Sequence, residues 1–143
     1  MDNPIHFFSE DIQFELTDQP RFIEWIQEVV ESFKQSILDI NYIYCSDKYL
    51  LDINKEYLDH DYFTDIITFD NREDKTQPLE ADIFISIDRV RENADFLNQS
   101  FTIELARVMI HGIHHLLGQG DKTEAEKAEM RKREEASLSL LKI

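Results

Sequence analysis

Three of the five histidines in this chain fall within His111-Gly112-Ile113-His114-His115, and the run continues Leu116-Leu117-Gly118-Gln119-Gly120-Asp121. Residues four apart on a helix share a face, so His111 and His115 can point two imidazoles at one ion. Gly118 and Gly120 let the chain leave the helix and turn back, which makes Asp121 the candidate third ligand. Two histidines and one carboxylate leave an open coordination position, the requirement of a catalytic zinc site. Iron, nickel or manganese would accept the same donors. An i, i+4 histidine pair is weak evidence alone. Here two imidazoles on an otherwise apolar helix need partners, and the double-glycine turn and the acid follow at once. His114 lies off the ligand face and reads as a packed or surface histidine, with exchange for one of the pair as the other option. Zinc peptidases of the HExxH type carry a glutamate general base after the first histidine. Gly112 stands at that place, so peptidase chemistry of that kind is not expected.

Several elements must position these residues. Ile5 to Phe8 and Ile12 to Leu16 read as short strands, and Pro20 suits the first turn of a helix carrying Phe22, Ile23, Trp25, Ile26, Val29, Val30 and Phe33. Ile40 to Cys45 is strand-like, with Ser46-Asp47 capping a helix through Tyr57. Thr64 to Phe69 and Ala81 to Ile87 read as strands joined by a long, polar, flexible loop, Asn71 to Glu80. Asp88 can cap a helix reaching Leu97, and Ser100 can cap the His-bearing helix, which is apolar on most sides and therefore central. Gly118 suits its end, and Thr123 with Glu126 makes a capping box for a last, charged helix. The fold expected is α+β: a small mixed sheet of about four strands packed with about five helices, in one domain over residues 1–143.

Formal net charge is −15, from 30 acids against 15 bases, and 42% of residues are hydrophobic. A real core is possible, whereas nucleic-acid binding by bulk charge is not. Arg131-Lys132-Arg133 is flanked by glutamates and reads as a solvated helix face. The one cysteine, Cys45, reads as a buried inert thiol, in keeping with a reducing cytoplasm. Met1-Asp2-Asn3-Pro4 lacks the basic and apolar parts of a signal peptide, and no apolar run suffices for a membrane span. A cytoplasmic protein without membrane association is expected.

His-Gly-x-x-His-Leu-x-Gly, with a third ligand and a charged helix containing Glu-Met, resembles the YbeY family of ribosomal RNA maturation factors. Asn54-x-x-Tyr57 followed by Thr64-Asp65-Ile66-Ile67-Thr68-Phe69, and Ala81-Asp82-Ile83-Phe84-Ile85-Ser86, resemble two further stretches of that family in order and spacing. The resemblance implies a zincin-like fold and a single-strand-specific metallo-endoribonuclease with one Zn2+ per chain. It also implies a role in 16S ribosomal RNA 3′-end maturation and ribosome quality control, with the small subunit or its proteins as partners. By motif position Asp65 becomes a catalytic candidate beside His111, His115 and Asp121, with closing a strand or turn as its competing role. Two departures stand out. The family's third ligand is usually histidine where this chain has Asp121, and its arginine after Asn-x-x-Tyr is Leu58 here. Arg72, Arg89 and Arg107 are candidates to replace that arginine. The cleft is expected between the His-bearing helix and Thr64 to Phe69, with the 71–80 loop as a flap.

Two other readings compete. One is a metal-dependent hydrolase of another substrate. The other is a non-catalytic ribosome-assembly factor with a structural metal, which would call for a closed four-ligand site.

Overall fold

A computed structural model describes residues 3–142. Met1 and Asp2, part of the stretch read above for a signal peptide, lie outside the described residues. Elements run β1 (Ile5–Ser9), α1 (Gln19–Ser32), β2 (Ile37–Cys45), α2 (Asp47–Leu58), β3 (Ile66–Asp70), β4 (Leu79–Ser86), α3 (Ile87–Phe96), α4 (Phe101–Leu116) and α5 (Glu124–Ser139). The four strands form one mixed sheet, ordered β1-β2-β4-β3. The β1–β2 and β2–β4 pairs are parallel, and β3 runs antiparallel to β4 at one edge. The expected α+β class with four strands and five helices is what the chain adopts.

The period-2 alternation of the strands divides the core between two faces. Ile40, Tyr42, Tyr44, Ile83 and Ile85 join the main cluster with α1 and α4. Cys45, Ile67, Phe69 and Phe84 meet Tyr49, Leu50 and Ile53 of α2. Helix α1 packs through Phe22, Trp25, Ile26, Val29 and Val30, an i, i+3, i+4, i+7, i+8 stripe. Helix α4 is buried on most sides, as its composition requires. The Tyr42 hydroxyl donates to the Met109 carbonyl at 3.0 Å, fixing α4 on the sheet. No helix among the described residues is long and apolar enough to cross a membrane.

Ile12 to Leu16 is not a strand. After Glu10 N–H donates to the Tyr44 carbonyl the chain leaves the sheet. Phe14 instead lays its ring edge-on against Tyr44 and Phe101. The alternation there is that of a segment covering the core, which repeats apolar residues without pairing. Strand β3 starts two residues later than expected, and β4 starts at Leu79, so the connection is residues 71–78. That connection is tied down. The Arg72 side chain, 3% exposed, donates to Asp70 and, at 2.8 Å, to the Leu116 carbonyl. The α3 cap is Ser86, whose hydroxyl accepts from Arg89 N–H, and Asp88 sits in the first turn. The caps Ser46 and Ser100 form as expected.

Candidate metal centre

The tightness of α4 against β3 begins at Gly112. A Cβ there would lie 3.0 Å from Ile66 Cδ1 and 3.1 Å from Thr68 Oγ1, so the helix backbone rides directly on the strand. His111 and His115 flank this contact and project along the same edge, with ring centroids 4.5 Å apart. Helix α4 ends at Gly118, whose φ of +99° is the left-handed conformation that only glycine takes without strain. A side chain at Gly120 would displace the Glu126 carboxylate, which is held in the capping box of α5. The Thr123–Glu126 capping box then starts α5. The turn between the two helices carries Asp121 back over the histidines.

His111 Nε2 and His115 Nε2 each lie 3.4 Å from Asp121 Oδ2, and one ligand atom from each residue falls within 4.8 Å of the others. Their other ring nitrogens are engaged. His115 Nδ1 is 2.9 Å from the Gln119 carbonyl, which can only accept, so Nδ1 carries the proton and Nε2 the lone pair. His111 Nδ1 is 2.6 Å from Glu134 Oε2, reaching in from α5. Three lone-pair donors thus face one another, an arrangement that repels unless a cation or proton sits among them. With their outer nitrogens fixed by a carboxylate and a carbonyl, the histidines are oriented as metal ligands usually are. The donor set fits a divalent ion.

Charge around the centre is organised from behind. Burial alone would hold His111 below its ordinary pKa, but the hydrogen bond and charge of Glu134, with Asp121 and Asp65 beyond, raise it. Glu134 is also 3.7 Å from Arg107, which pairs with the buried Glu104 at 3.2 Å. Burial raises the Asp65 carboxyl above the usual range, against the opposing pull of His111. Asp65 Oδ2 accepts from Asn93 Nδ2 at 3.4 Å.

His114 points away. It is 1% exposed, with Nε2 2.8 Å from Ser137 Oγ, and burial followed by the Arg133 charge pushes its pKa down to about 4. It packs and takes no part in the cluster. Cys45 is fully buried and its thiol is pushed up to about 12, first by burial.

A cleft of about 500 Å³ opens beside the cluster, lined among others by Asp65, His111, His115 and Asp121. It lies between α4 and β3, where sequence placed it. None of the three candidate arginines lines it. Arg72 is spent on Asp70 and Leu116, Arg89 on Asp47 at 2.7 Å, and Arg107 on Glu104 and Glu134. Lys75, from the 71–78 connection, is the only lysine or arginine among the described lining residues. Glu134, Gln119 and Lys75 were missed in the sequence. A signal for Glu134 existed: Met130, Glu134 and Ser137 are the buried residues of α5, an i, i+4, i+7 face in a helix otherwise charged all round.

Comparison with known proteins identifies the family. The family model described as Endoribonuclease YbeY matches residues 5–142. The chain belongs to the YbeY family. Its relatives include proteins named Endoribonuclease YbeY from Cytophaga hutchinsonii, 52% identical over 97% of this chain and 96% of that one, and from Christiangramia forsetii, 48% identical over 97% and 95%. The fold is similar to the solution structure of TM1509 from Thermotoga maritima, with a TM-score of 0.66 at 24% identity over 96% of this chain and 88% of that one.

Proposed function

We propose that this YbeY-family chain is a metal-dependent endoribonuclease that cleaves single-stranded RNA during ribosomal RNA processing, using one zinc ion held by His111, His115 and Asp121. The observation that carries the metal part is the convergence of three lone-pair donors at the wall of an open cleft. The RNA part rests on the name of relatives that match nearly the whole chain. Three donors beside an open cleft favour an enzyme over the closed four-ligand site of a structural metal. A divalent ion bound there supplies Lewis-acid activation of a phosphodiester.

The remaining work falls to the chain itself. Gln119 and Glu134 hold the two imidazoles in their tautomers. Asp65, whose carboxyl burial raises above the usual range, lines the cleft with His111 and would give or take a proton there. Lys75 offers a cation for a phosphate where relatives are expected to use the arginine that Leu58 replaces. Cleavage at the 3′ end of 16S ribosomal RNA, contact with the small subunit, a part in quality control and a cytoplasmic location belong to the same reading.

Metal content decides the first step. About one equivalent per chain is expected in native protein, lost in His115→Ala and Asp121→Ala. Metal-free native protein would sink the site. Single-stranded ribosomal RNA incubated with native and His115→Ala protein decides the second, since equal cleavage by both would assign the activity to a contaminant.

A further inference from the structure

Ten large apolar side chains are exposed among the described residues, and four of them, Tyr57, Leu58, Tyr62 and Phe63, fall in one short stretch at the end of α2. Two have partners: Tyr57 meets Phe69 edge-on, and Phe63 lies under the Arg89 guanidinium. Tyr62 is 56% exposed and, unlike those two, lines the cleft. It is also held in place. The Asn54 side chain, 2% exposed, donates to the Tyr62 carbonyl at 2.9 Å, and the Asn54 carbonyl accepts from His60 N–H. His60 stacks on the Tyr62 ring at 5.1 Å and 21°, with its Nδ1 3.0 Å from the tyrosine hydroxyl. A buried asparagine therefore fixes an aromatic pair whose outer surface is open beside the metal cluster.

We propose that Tyr62, backed by His60, is a stacking platform for a nucleobase of single-stranded RNA. This rests on the endoribonuclease reading above. The charge distribution favours stacking as the main source of affinity. Formal net charge is −15, and among the described residues lining the cleft Lys75 alone is a lysine or arginine, so phosphate contacts are few. Base–aromatic stacking needs no net charge and tolerates any base. Tyr62 sits before the start of β3 and Lys75 beyond its end. The platform and the cation thus mark the two ends of a track that runs along β3 past His111 and His115.

The test uses the full chain, a chelator to prevent cleavage, and a fluorescein-labelled single-stranded oligoribonucleotide read by anisotropy. Tyr62→Ala is expected to weaken binding by roughly 5- to 150-fold, while Tyr62→Phe and Tyr62→Trp retain it. Making the nucleotides abasic one at a time should find one position that costs the native protein a similar factor and costs Tyr62→Ala nothing further. The salt dependence should be shallow, with a log–log slope near about −0.7, as for one phosphate contact on a single strand. Native binding with no effect of Tyr62→Ala overturns the platform and leaves the RNA reading standing. No RNA binding by the native chain overturns both. A Tyr62→Phe loss as large as that of Tyr62→Ala, or a slope several times steeper, assigns recognition to the hydroxyl or to phosphates and overturns the platform.

Discussion

Replacing Glu134 by glutamine tests whether the carboxylate behind His111 tunes metal affinity. The side chain is 9% exposed, and Oε2 lies 2.6 Å from His111 Nδ1. Glutamine keeps the shape and one acceptor oxygen but removes the charge. A hydrogen bond to a charged group contributes about 1.5–3 kcal/mol and a neutral one about 0.5–1.5. The difference, about 1–2 kcal/mol, corresponds to a loss in metal affinity of roughly 5- to 30-fold. The same carboxylate raises the proton affinity of His111, and protons compete with metal for Nε2. Above the His111 pKa the full loss should be seen. In more acidic solution the variant binds protons less well too, so the gap should narrow. Competition against a chromogenic chelator at several pH values reads both effects, with thermal unfolding to verify the fold. Unchanged affinity at alkaline pH, or a loss matched by the exposed control Glu129→Gln, would refute the reasoning.

Three further outcomes are expected. Gly112→Val should lower stability by about 1–3 kcal/mol in denaturant unfolding, because Ile66 and Thr68 already stand at the limit of a Cβ; unchanged stability would mean the two elements separate freely. His114 is buried and neutral, with a folded pKa of about 4 against 6.5 ordinarily. Its contribution is complete above 6.5 and is lost as pH falls toward 4, about 3 kcal/mol in all. His114→Gln should flatten that slope in denaturation curves taken with excess chelator, and a parallel slope would refute the assignment. Asp121→His, the ligand expected in relatives, should retain about one metal per chain while making the site less anionic; loss of metal on direct assay would show that the turn accepts only the shorter carboxylate.

Much of this was legible in the sequence because it is local. The His111–Asp121 cluster lies within one helix and the turn after it, and the caps at Ser46, Ser100 and Thr123 are decided by their neighbours. What escaped depends on long-range placement. Arg72, Arg89 and Arg107 look available as types, yet their partners Leu116, Asp47 and Glu134 are brought in by tertiary packing. Glu134 is one glutamate among several on α5, and only the docking of that helix selects it. Ile12 to Leu16 failed for the converse reason, since apolar alternation records burial and says nothing about whether a neighbouring strand is there to pair with.

Ser137 faces two ways. Its carbonyl accepts from the Trp25 indole N–H at 2.7 Å, and its hydroxyl meets His114. Seating this one residue therefore locks α5 to both α1 and α4 and swings Glu134 behind His111. The Gln119 carbonyl that holds His115 belongs to the same turn as Asp121, whereas the Glu134 carboxylate behind His111 arrives only with α5. If α5 undocks, His111 loses its Glu134 acceptor while His115 stays held within its own turn. The seat of a single serine thus decides whether one imidazole of the candidate cluster is held in orientation, or both.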